Sequence, residues 1–292
     1  MKRRHFLQAT LASYLSLPAF ALEADNPYRK HMGLQLYTLR NQIKEDLPGT
    51  IKAVAAAGYQ QVEPYGFPDA QALEMIKAAR DNGMAANSSH FNWDSVTDPN
   101  KKGVMPFAEI LEKAKEAGLT HLVIPYLQAE VRTSLDDYKR LAERCNVGAQ
   151  LAKSAGIQLA YHNHNFEFEP LNGDKCGYDI FVEEFSPEMK FEMDVFWVKA
   201  GGVDPVSLIS FLGHQKRVSQ LHLKDLKTGT EVPNYGKLDN DAFKELGAGM
   251  IPMKPIIVAA AEAGVVHCHV EQDQSPDPIT SIGESMTYLR SL

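Results

Sequence analysis

Four residues in the second half of the sequence could together bind a metal ion. They are His162, Asp194, His222 and Glu271, and each ends a short apolar run. Two imidazoles and two carboxylates suit a borderline divalent cation such as Mn²⁺, Co²⁺, Fe²⁺ or Zn²⁺. Their wide spacing matches no short metal-binding motif, so a site forms only if the fold brings the four runs together. The alternative is a set of separate structural roles, in which Asp194 caps a turn and His222 packs in a core.

The elements that must position these residues recur as an amphipathic helix, a glycine and a short apolar strand. A glycine suits the left-handed residue that ends a helix. These glycines are Gly58, Gly83, Gly118, Gly156 and Gly264. The predicted strands span residues 33–37, 60–63, 84–88, 121–125, 157–162, 190–194, 218–222 and 266–271. These runs are short and do not alternate, as is typical of strands buried on both faces of a parallel sheet.

Eight strands that alternate with helices in about 270 residues predict an α/β fold, a closed (β/α)₈ TIM barrel. An open doubly wound sheet is the alternative, but no G-x-G-x-x-G follows the first strand. In a TIM barrel the functional residues gather at the carboxyl ends of the strands. The four potential ligands stand at the ends of strands five to eight, one on each strand. This joint placement favours a metal site over four unrelated structural roles.

The net charge and the cysteines exclude several classes of protein. The chain has 30 Lys and Arg against 37 Asp and Glu, a net charge of −7, which argues against a nucleic-acid partner. Hydrophobic residues make up 44 % of the chain, enough for a large buried core. Cys145, Cys176 and Cys268 are widely spaced and odd in number, so neither a disulfide framework nor a Cys-rich zinc site is expected.

The first 21 residues have the pattern of an export signal. A basic start is followed by an uncharged stretch that ends in Ala19-Phe20-Ala21, and Arg3-Arg4 resembles the twin-arginine pattern. The apolar run is shorter than the ~20 residues of a membrane span, so no stable membrane insertion is expected. We therefore predict cleavage after Ala21, export by the twin-arginine machinery, and a single periplasmic TIM-barrel domain over 22–292. The alternative is a basic amphipathic helix packed on the protein.

Five short runs carry a resemblance to a known superfamily. They are QLYTLR at 35–40, YHNHNFEF at 161–168, DVFWV at 194–198, HLKD at 222–225 and EQD at 271–273. In combination they resemble the xylose isomerase-like TIM barrels, and within these the sugar phosphate isomerase/epimerase family, over residues 31–292. The resemblance implies one divalent metal ion at the ends of strands five to eight and chemistry on a ketose or keto-sugar. Carried over by position, its ligands are His162, Asp194, His222 and Glu271.

Two residues depart from the pattern of the epimerases in this superfamily. His162 stands where those enzymes usually carry a glutamate, and Trp197 stands where they commonly carry a histidine. The glutamate normally also transfers protons, so its absence tilts the expectation slightly towards elimination and away from two-carboxylate epimerisation. With one carboxylate fewer, the metal site is about one charge unit more positive and a stronger Lewis acid.

The resemblance implies a metal-dependent sugar isomerase or epimerase that removes a proton beside a carbonyl to form an enediolate. The expected base is Glu271, His164 or Glu63, and Lys224 is expected to donate a hydrogen bond to a developing oxyanion or a substrate hydroxyl. Reprotonation gives isomerisation or epimerisation. Loss of a β-leaving group from a 3-keto-glycoside instead gives a lyase or hydratase.

Gln35, His90 and Trp197 are expected to contact the carbohydrate substrate, with Trp197 stacking on a sugar ring. For His90 the alternative is a loop histidine, and for Trp197 it is packing beneath a loop. A base-excision endonuclease shares the barrel, but the acidic charge, the export signal and a shortage of extra ligands for a multi-metal cluster disfavour it. A non-catalytic periplasmic sugar-binding protein is the remaining class, and such a protein has no use for the four ligands together.

Overall fold

Eight parallel strands form a nearly closed barrel in the computed structural model, which describes Leu22 and residues 25–292. The predicted export signal, residues 1–21, lies outside the described residues. The strands are β1 Met32–Gln35, β2 Gln61–Glu63, β3 Ser88–His90, β4 His121–Ile124, β5 Gln158–His162, β6 Lys190–Asp194, β7 Val218–Leu223 and β8 His267–Val270. Each strand neighbours the next one in the chain, and β8 pairs with β1. The predicted TIM barrel is therefore confirmed.

The barrel closes between β2 and β3 through isolated bridges. Gln61 bridges Ala85, and Phe67 bridges Phe91. The prediction places the third strand at 84–88, whereas the regular ladder with β4 begins only at Ser88 and ends at His90. The predicted strands include the bridging residues Gln61 and Ala85 and reach Ser88, but Ser89 and His90 are polar, so hydropathy misses the end of the third strand.

Helices cover the outside of the barrel. They are α1 Arg40–Glu45, α2 Leu47–Ala57, α3 Ala70–Asp81, α4 Asp94–Thr97, α5 Phe107–Glu116, α6 Leu135–Ser154, α7 Gly177–Glu184, α8 Val195–Ala200, α9 Pro205–His214, α10 Met253–Glu262 and α11 Pro278–Ser291. Local chemistry sets their ends: α2 starts where the Asp46 carboxylate accepts the Gly49 N–H, and it stops at Gly58, which adopts a φ of 98°. None of the helices in the described residues has the length and apolarity needed to cross a membrane.

The loops between the strands and helices contain short 3₁₀ helices and two antiparallel ribbons. The 3₁₀ helices are Pro27–Arg29, Leu36–Leu39, Ala129–Val131, Phe166–Phe168 and Asn240–Ala242. Two antiparallel ribbons join Pro170–Asn172 with Lys175–Cys176, and Asp225–Leu226 with Phe243–Lys244.

The strands separate an apolar layer outside the barrel from a polar interior. On β6, Phe191 packs against the aromatic rings of the outer layer, while Glu192 faces His90 and Asp194 faces His162 inside the barrel. Side chains alternate across a strand, so a polar residue two positions before a strand end points inward as well. This strand does alternate, contrary to the sequence interpretation, because its inward carboxylates are paired and need no apolar surroundings.

Candidate metal centre

The four predicted ligands meet at the carboxyl ends of β5 to β8. His162 and Asp194 are the last residues of β5 and β6, His222 is the second-last residue of β7, and Glu271 directly follows β8. One ligand atom from each lies within 4.8 Å of each of the others, and all four residues are buried. We call this set the upper group. In the strand register Asp194 is level with His222, which explains why residues far apart in the chain converge.

The distances within the upper group suit one shared cation. His222 Nδ1 lies 3.1 Å from His162 Nε2 and 3.1 Å from Glu271 Oε2, and His162 Nε2 lies 3.4 Å from Asp194 Oδ2. Ligands bound at about 2.0–2.2 Å to one ion are separated by roughly 3.0–3.5 Å. Asp194 Oδ2 is buried and makes no hydrogen bond among the described residues, and its nearest cation is the Lys224 ammonium at 3.2 Å. The donor set and its spacing therefore fit a divalent cation.

Two neighbouring residues hold Asp194 in place. The Asn163 side chain accepts the Asp194 N–H at 3.1 Å and donates to the Asp194 carbonyl at 3.3 Å, which ties the ends of β5 and β6 together. Asp194 Oδ1 accepts the Trp197 N–H at 2.9 Å and so caps α8. The structural role and the ligand role of Asp194 thus coexist, since one oxygen caps the helix and the other faces the upper group.

His222 uses both ring nitrogens. Nδ1 faces the upper group, while Nε2 lies 2.8 Å from Glu63 Oε1 and 3.2 Å from Glu192 Oε1. Burial alone would lower the pKa of His222, but the carboxylates of Glu192 and Glu271 raise it well above its ordinary value. The surroundings of this ring therefore favour positive charge.

Lys224, just beyond β7, is buried among three carboxylates. Its Nζ lies 2.6 Å from Asp273 Oδ2, 2.8 Å from Glu271 Oε2 and 3.2 Å from Asp194 Oδ2. Burial opposes the charge, but these acids raise the pKa of the Lys224 ammonium well above its ordinary value. The ammonium therefore approaches two of the oxygens that belong to the upper group.

A second convergent set lies against the other side of His222. It consists of Glu63, His90, Glu192 and the Nε2 atom of His222, and we call it the lower group. Its ligand atoms also lie within 4.8 Å of one another, and its residues are buried. Sequence reasoning missed Glu192, although its position two residues before Asp194 places it on the same inward face.

Three residues that were expected to act on or contact the substrate lie inside the barrel, in or beside the lower group. Glu63 is fully buried and accepts hydrogen bonds on both oxygens from Gln35, Gln220 and His222. Gln35 donates to Glu63, and its carbonyl oxygen accepts the Tyr37 N–H. His90 Nε2 faces Glu63 and Glu192. Inward residues of the first three strands thus contact one another inside the barrel, while the base role of Glu63 and the substrate contacts of Gln35 and His90 stay predictions.

An aromatic wall borders the upper group. The His164 ring is 5.1 Å from the rings of both His162 and Trp197, and it stacks on Phe166 at 5.2 Å. Burial, followed by the influence of His162 and Lys224, lowers the pKa of His164 well below its ordinary value, so its imidazole is neutral at pH 7. His164 Nδ1 has no hydrogen-bond partner in the part of the chain that the structure describes. Trp197 lies half-buried in this wall.

Glu167 positions the loop that carries His164. Its carboxylate accepts the His164 N–H at 2.8 Å and the hydroxyl of Tyr161. Burial raises the pKa of this carboxyl to about 7. The backbone at His164 is therefore held by a buried group that takes no part in either ligand set.

Comparison with known proteins gives a family and several similar structures. The family described as xylose isomerase-like TIM barrel matches residues 51–292. Two structures of sugar phosphate isomerase/epimerases from Parabacteroides distasonis are similar: one is 22 % identical with a TM-score of 0.73, covering 90 % of this chain and 98 % of that one. The other is 26 % identical with a TM-score of 0.70, covering 89 % and 93 %.

A zinc-containing protein is also similar. The structure of IolI protein with a binding zinc atom is 16 % identical with a TM-score of 0.65, covering 89 % of this chain and 95 % of that one. Curated proteins gave no significant match. The family match spans most of the sequence, and the barrel and its order of strands agree with it. The chain belongs to the xylose isomerase-like TIM barrel family.

Proposed function

We propose that this protein is a divalent-metal-dependent enzyme of the sugar isomerase or epimerase type, which acts on a keto-sugar or 3-keto-glycoside through an enediolate. The observation that carries the proposal is the convergence of four ligand atoms, one from the end of each of four successive strands, within 4.8 Å. Similar structures are described as sugar phosphate isomerase/epimerases, and another holds zinc, which supports the same class.

His162, Asp194, His222 and Glu271 would hold the cation. When bound, it supplies Lewis acidity to a substrate carbonyl. His164 is the proposed proton acceptor, because it borders the upper group without belonging to it and its Nδ1 lacks a hydrogen-bond partner within the described residues. Glu271 is the alternative base, but its Oε2 is engaged by Lys224 and His222. The rings of Trp197 and Phe166 flank His164.

A keto-glycoside lyase or hydratase is the second candidate. Elimination of a β-leaving group needs one well-placed base, whereas epimerisation needs proton transfer on both faces of a carbon. The position of the usual glutamate is taken by His162, which leaves His164 on one side of the group. An open cavity of about 730 Å³ adjoins Asp273, the partner of Lys224, and polar side chains including Arg40 and Asn240 line it. None of the four upper-group residues lines this cavity, so it would hold the part of a substrate, such as a second sugar, that extends past Asp273.

Cation content tests the site. We expect Asp194→Asn to lower the bound divalent cation by one equivalent relative to the wild type, measured by elemental analysis after dialysis. Asp81→Asn is the matched control, since this exposed acid pairs with Lys77 on the surface of α3. An Asp194→Asn protein that retains all of its cation would contradict the ligand assignment.

Incubation in deuterated water separates the reactions. Candidate ketoses and 3-keto-glycosides are followed by NMR with the cation-loaded enzyme. Deuterium beside the carbonyl supports isomerisation or epimerisation, and release of the leaving group supports the lyase. Binding of a sugar with neither outcome would favour a non-catalytic sugar-binding protein and refute the enediolate mechanism.

We also propose that the enzyme works in the periplasm, after export by the twin-arginine machinery. The support is the sequence of residues 1–21, with Arg3-Arg4 near its start and Ala19-Phe20-Ala21 at its end. N-terminal sequencing of the periplasmic protein should begin at Leu22, and Arg3→Lys with Arg4→Lys should keep the protein in the cytoplasm. Periplasmic protein that begins at Met1 would refute the cleavage.

A further inference from the structure

We propose that the lower group binds a second divalent cation, separate from that of the upper group. Its ligands are Glu63 from β2, His90 from β3, Glu192 from β6 and Nε2 of His222 from β7. The proposal concerns binding alone, and it does not depend on which reaction the upper group supports.

The contacts in the lower group converge on a common centre. His90 Nε2 lies 3.0 Å from Glu192 Oε2 and 3.2 Å from Glu63 Oε1. His222 Nε2 lies 2.8 Å from Glu63 Oε1 and 3.2 Å from Glu192 Oε1. An N–H forms a strong hydrogen bond with one oxygen along its own direction, yet each nitrogen here faces two carboxylates. Ligands held at about 2.0–2.2 Å from one ion have edges of roughly 3.0–3.5 Å, close to these distances.

Charge and burial also favour a cation at this place. The side chains of Glu63, Glu192 and His222 are 0 % exposed, and that of His90 is 10 % exposed. Two ionised carboxylates that share a buried site repel each other and need compensating positive charge. The imidazoles of His90 and His222, whose pKa values these carboxylates raise against the effect of burial, supply that charge without a metal, and a divalent cation would supply it in their place. Two carboxylates with two imidazoles suit Zn²⁺, Mn²⁺, Fe²⁺ or Co²⁺.

Amide groups orient both carboxylates, as is usual around metal ligands. Gln220 Nε2 donates to Glu63 Oε2 at 2.9 Å and to Glu192 Oε1 at 2.5 Å, and Gln35 Nε2 donates to Glu63 Oε1 at 2.8 Å. Gln220 is fully buried, and its Oε1 has no hydrogen-bond partner in residues 25–292 or Leu22. The amide thus turns its donors towards the acids although this leaves its own carbonyl oxygen unpaired.

His222 would link the two cations. Ions bound to the two nitrogens of one imidazole, with bonds of about 2.1 Å, lie roughly 6 Å apart. This separation exceeds the ~3.5–4 Å of sites in which two metals share a substrate oxygen. The lower cation therefore serves to hold the His222 ring. When both ions bind, the ring protons of His222 and the Nε2 proton of His90 pass to the solvent.

Zinc stoichiometry tests the proposal. Metal-free protein is dialysed against Zn²⁺ and analysed for bound zinc. We expect two ions per wild-type chain, one for Glu192→Gln and one for Asp194→Asn. Glu167→Gln is the control, because this carboxylate is equally buried but belongs to neither group, and it should retain two ions. A Glu192→Gln protein that binds as much zinc as the wild type would overturn the proposal.

The same experiment distinguishes the two sites. Loss of one ion in Glu192→Gln with no loss in Asp194→Asn would support the lower site and refute the upper one. A wild type that binds one ion, removed by Asp194→Asn, would refute the lower site alone. If Glu192→Gln does not fold, crystals of the wild type soaked in Zn²⁺ decide the matter: an anomalous peak between Glu63, His90 and Glu192 is expected, and none there would overturn the proposal.

Discussion

Replacing Lys224 by methionine tests how the charges at the barrel mouth balance. Lys224 is 1 % exposed, and its ammonium lies within 3.2 Å of oxygens of Asp194, Glu271 and Asp273. Methionine has a similar unbranched shape, so the main change is the loss of one buried positive charge. Removing one partner from a buried ion pair costs about 3–5 kcal/mol, and we expect this loss in the free energy of unfolding of metal-free protein.

A divalent cation in the upper group should restore much of that loss. Asp194 Oδ2 and Glu271 Oε2 contact Lys224 and also belong to the ligand set, so the ammonium and the cation compete for the same oxygens. Asp273 lies outside the ligand set and stays unpaired. If about 2–3 kcal/mol is recovered, the cation binds the variant roughly 30- to 150-fold more tightly than the wild type.

Urea unfolding with a chelator gives the stability of the metal-free protein, and urea unfolding with saturating Zn²⁺ gives the stabilisation by the cation. Lys227→Met is the control, because this lysine pairs with Asp241 at the surface and its loss should change stability by about 0.5 kcal/mol or less. Equal stabilisation of the wild type and Lys224→Met by Zn²⁺ would refute the competition. Metal-free Lys224→Met as stable as the wild type would refute the charge balance itself.

Three further substitutions test the surroundings of the site. Burial raises the pKa of Glu167 from its ordinary 4.5 to about 7, so the native state holds this proton more tightly than the unfolded state does. The free energy of unfolding therefore falls by roughly 3 kcal/mol as the pH rises between these two values. Glu167→Gln should lose this fall, and parallel pH profiles of unfolding free energy would contradict it. His164→Gln should lower kcat about 100-fold or more with its cation content unchanged, and unchanged kcat would exclude His164 as the base. Asp225 accepts four backbone N–H groups, those of Leu226, Gly247, Gly249 and Ile251. Asp225→Ala should lower stability by about 2–4 kcal/mol and speed hydrogen exchange at these amides, whereas unchanged exchange would show that the loop does not depend on this carboxylate.

Local patterns predict most of the barrel. Helix ends such as Gly58 and Gly264 depend on the φ of one residue, and both adopt the left-handed conformation that the sequence predicts. The upper group can also be predicted from the sequence. Every parallel strand of a TIM barrel ends at the same face, so polar residues at the strand ends gather there. The third strand is the exception, since its paired residues are polar and the apolar signal precedes them.

The sequence by itself therefore determined the class of fold and which strand ends meet, whereas the partners of each inward side chain were decided by the tertiary structure. Alternation along a strand indicates that Glu192 points inward. The stagger of the strands around the barrel determines that it faces His90 and His222. The same holds for Lys224, which is held by acids from β6 and from the segment after β8. Such contacts join residues up to 102 positions apart in the chain, so they depend on the closed geometry of the barrel, which no local pattern contains.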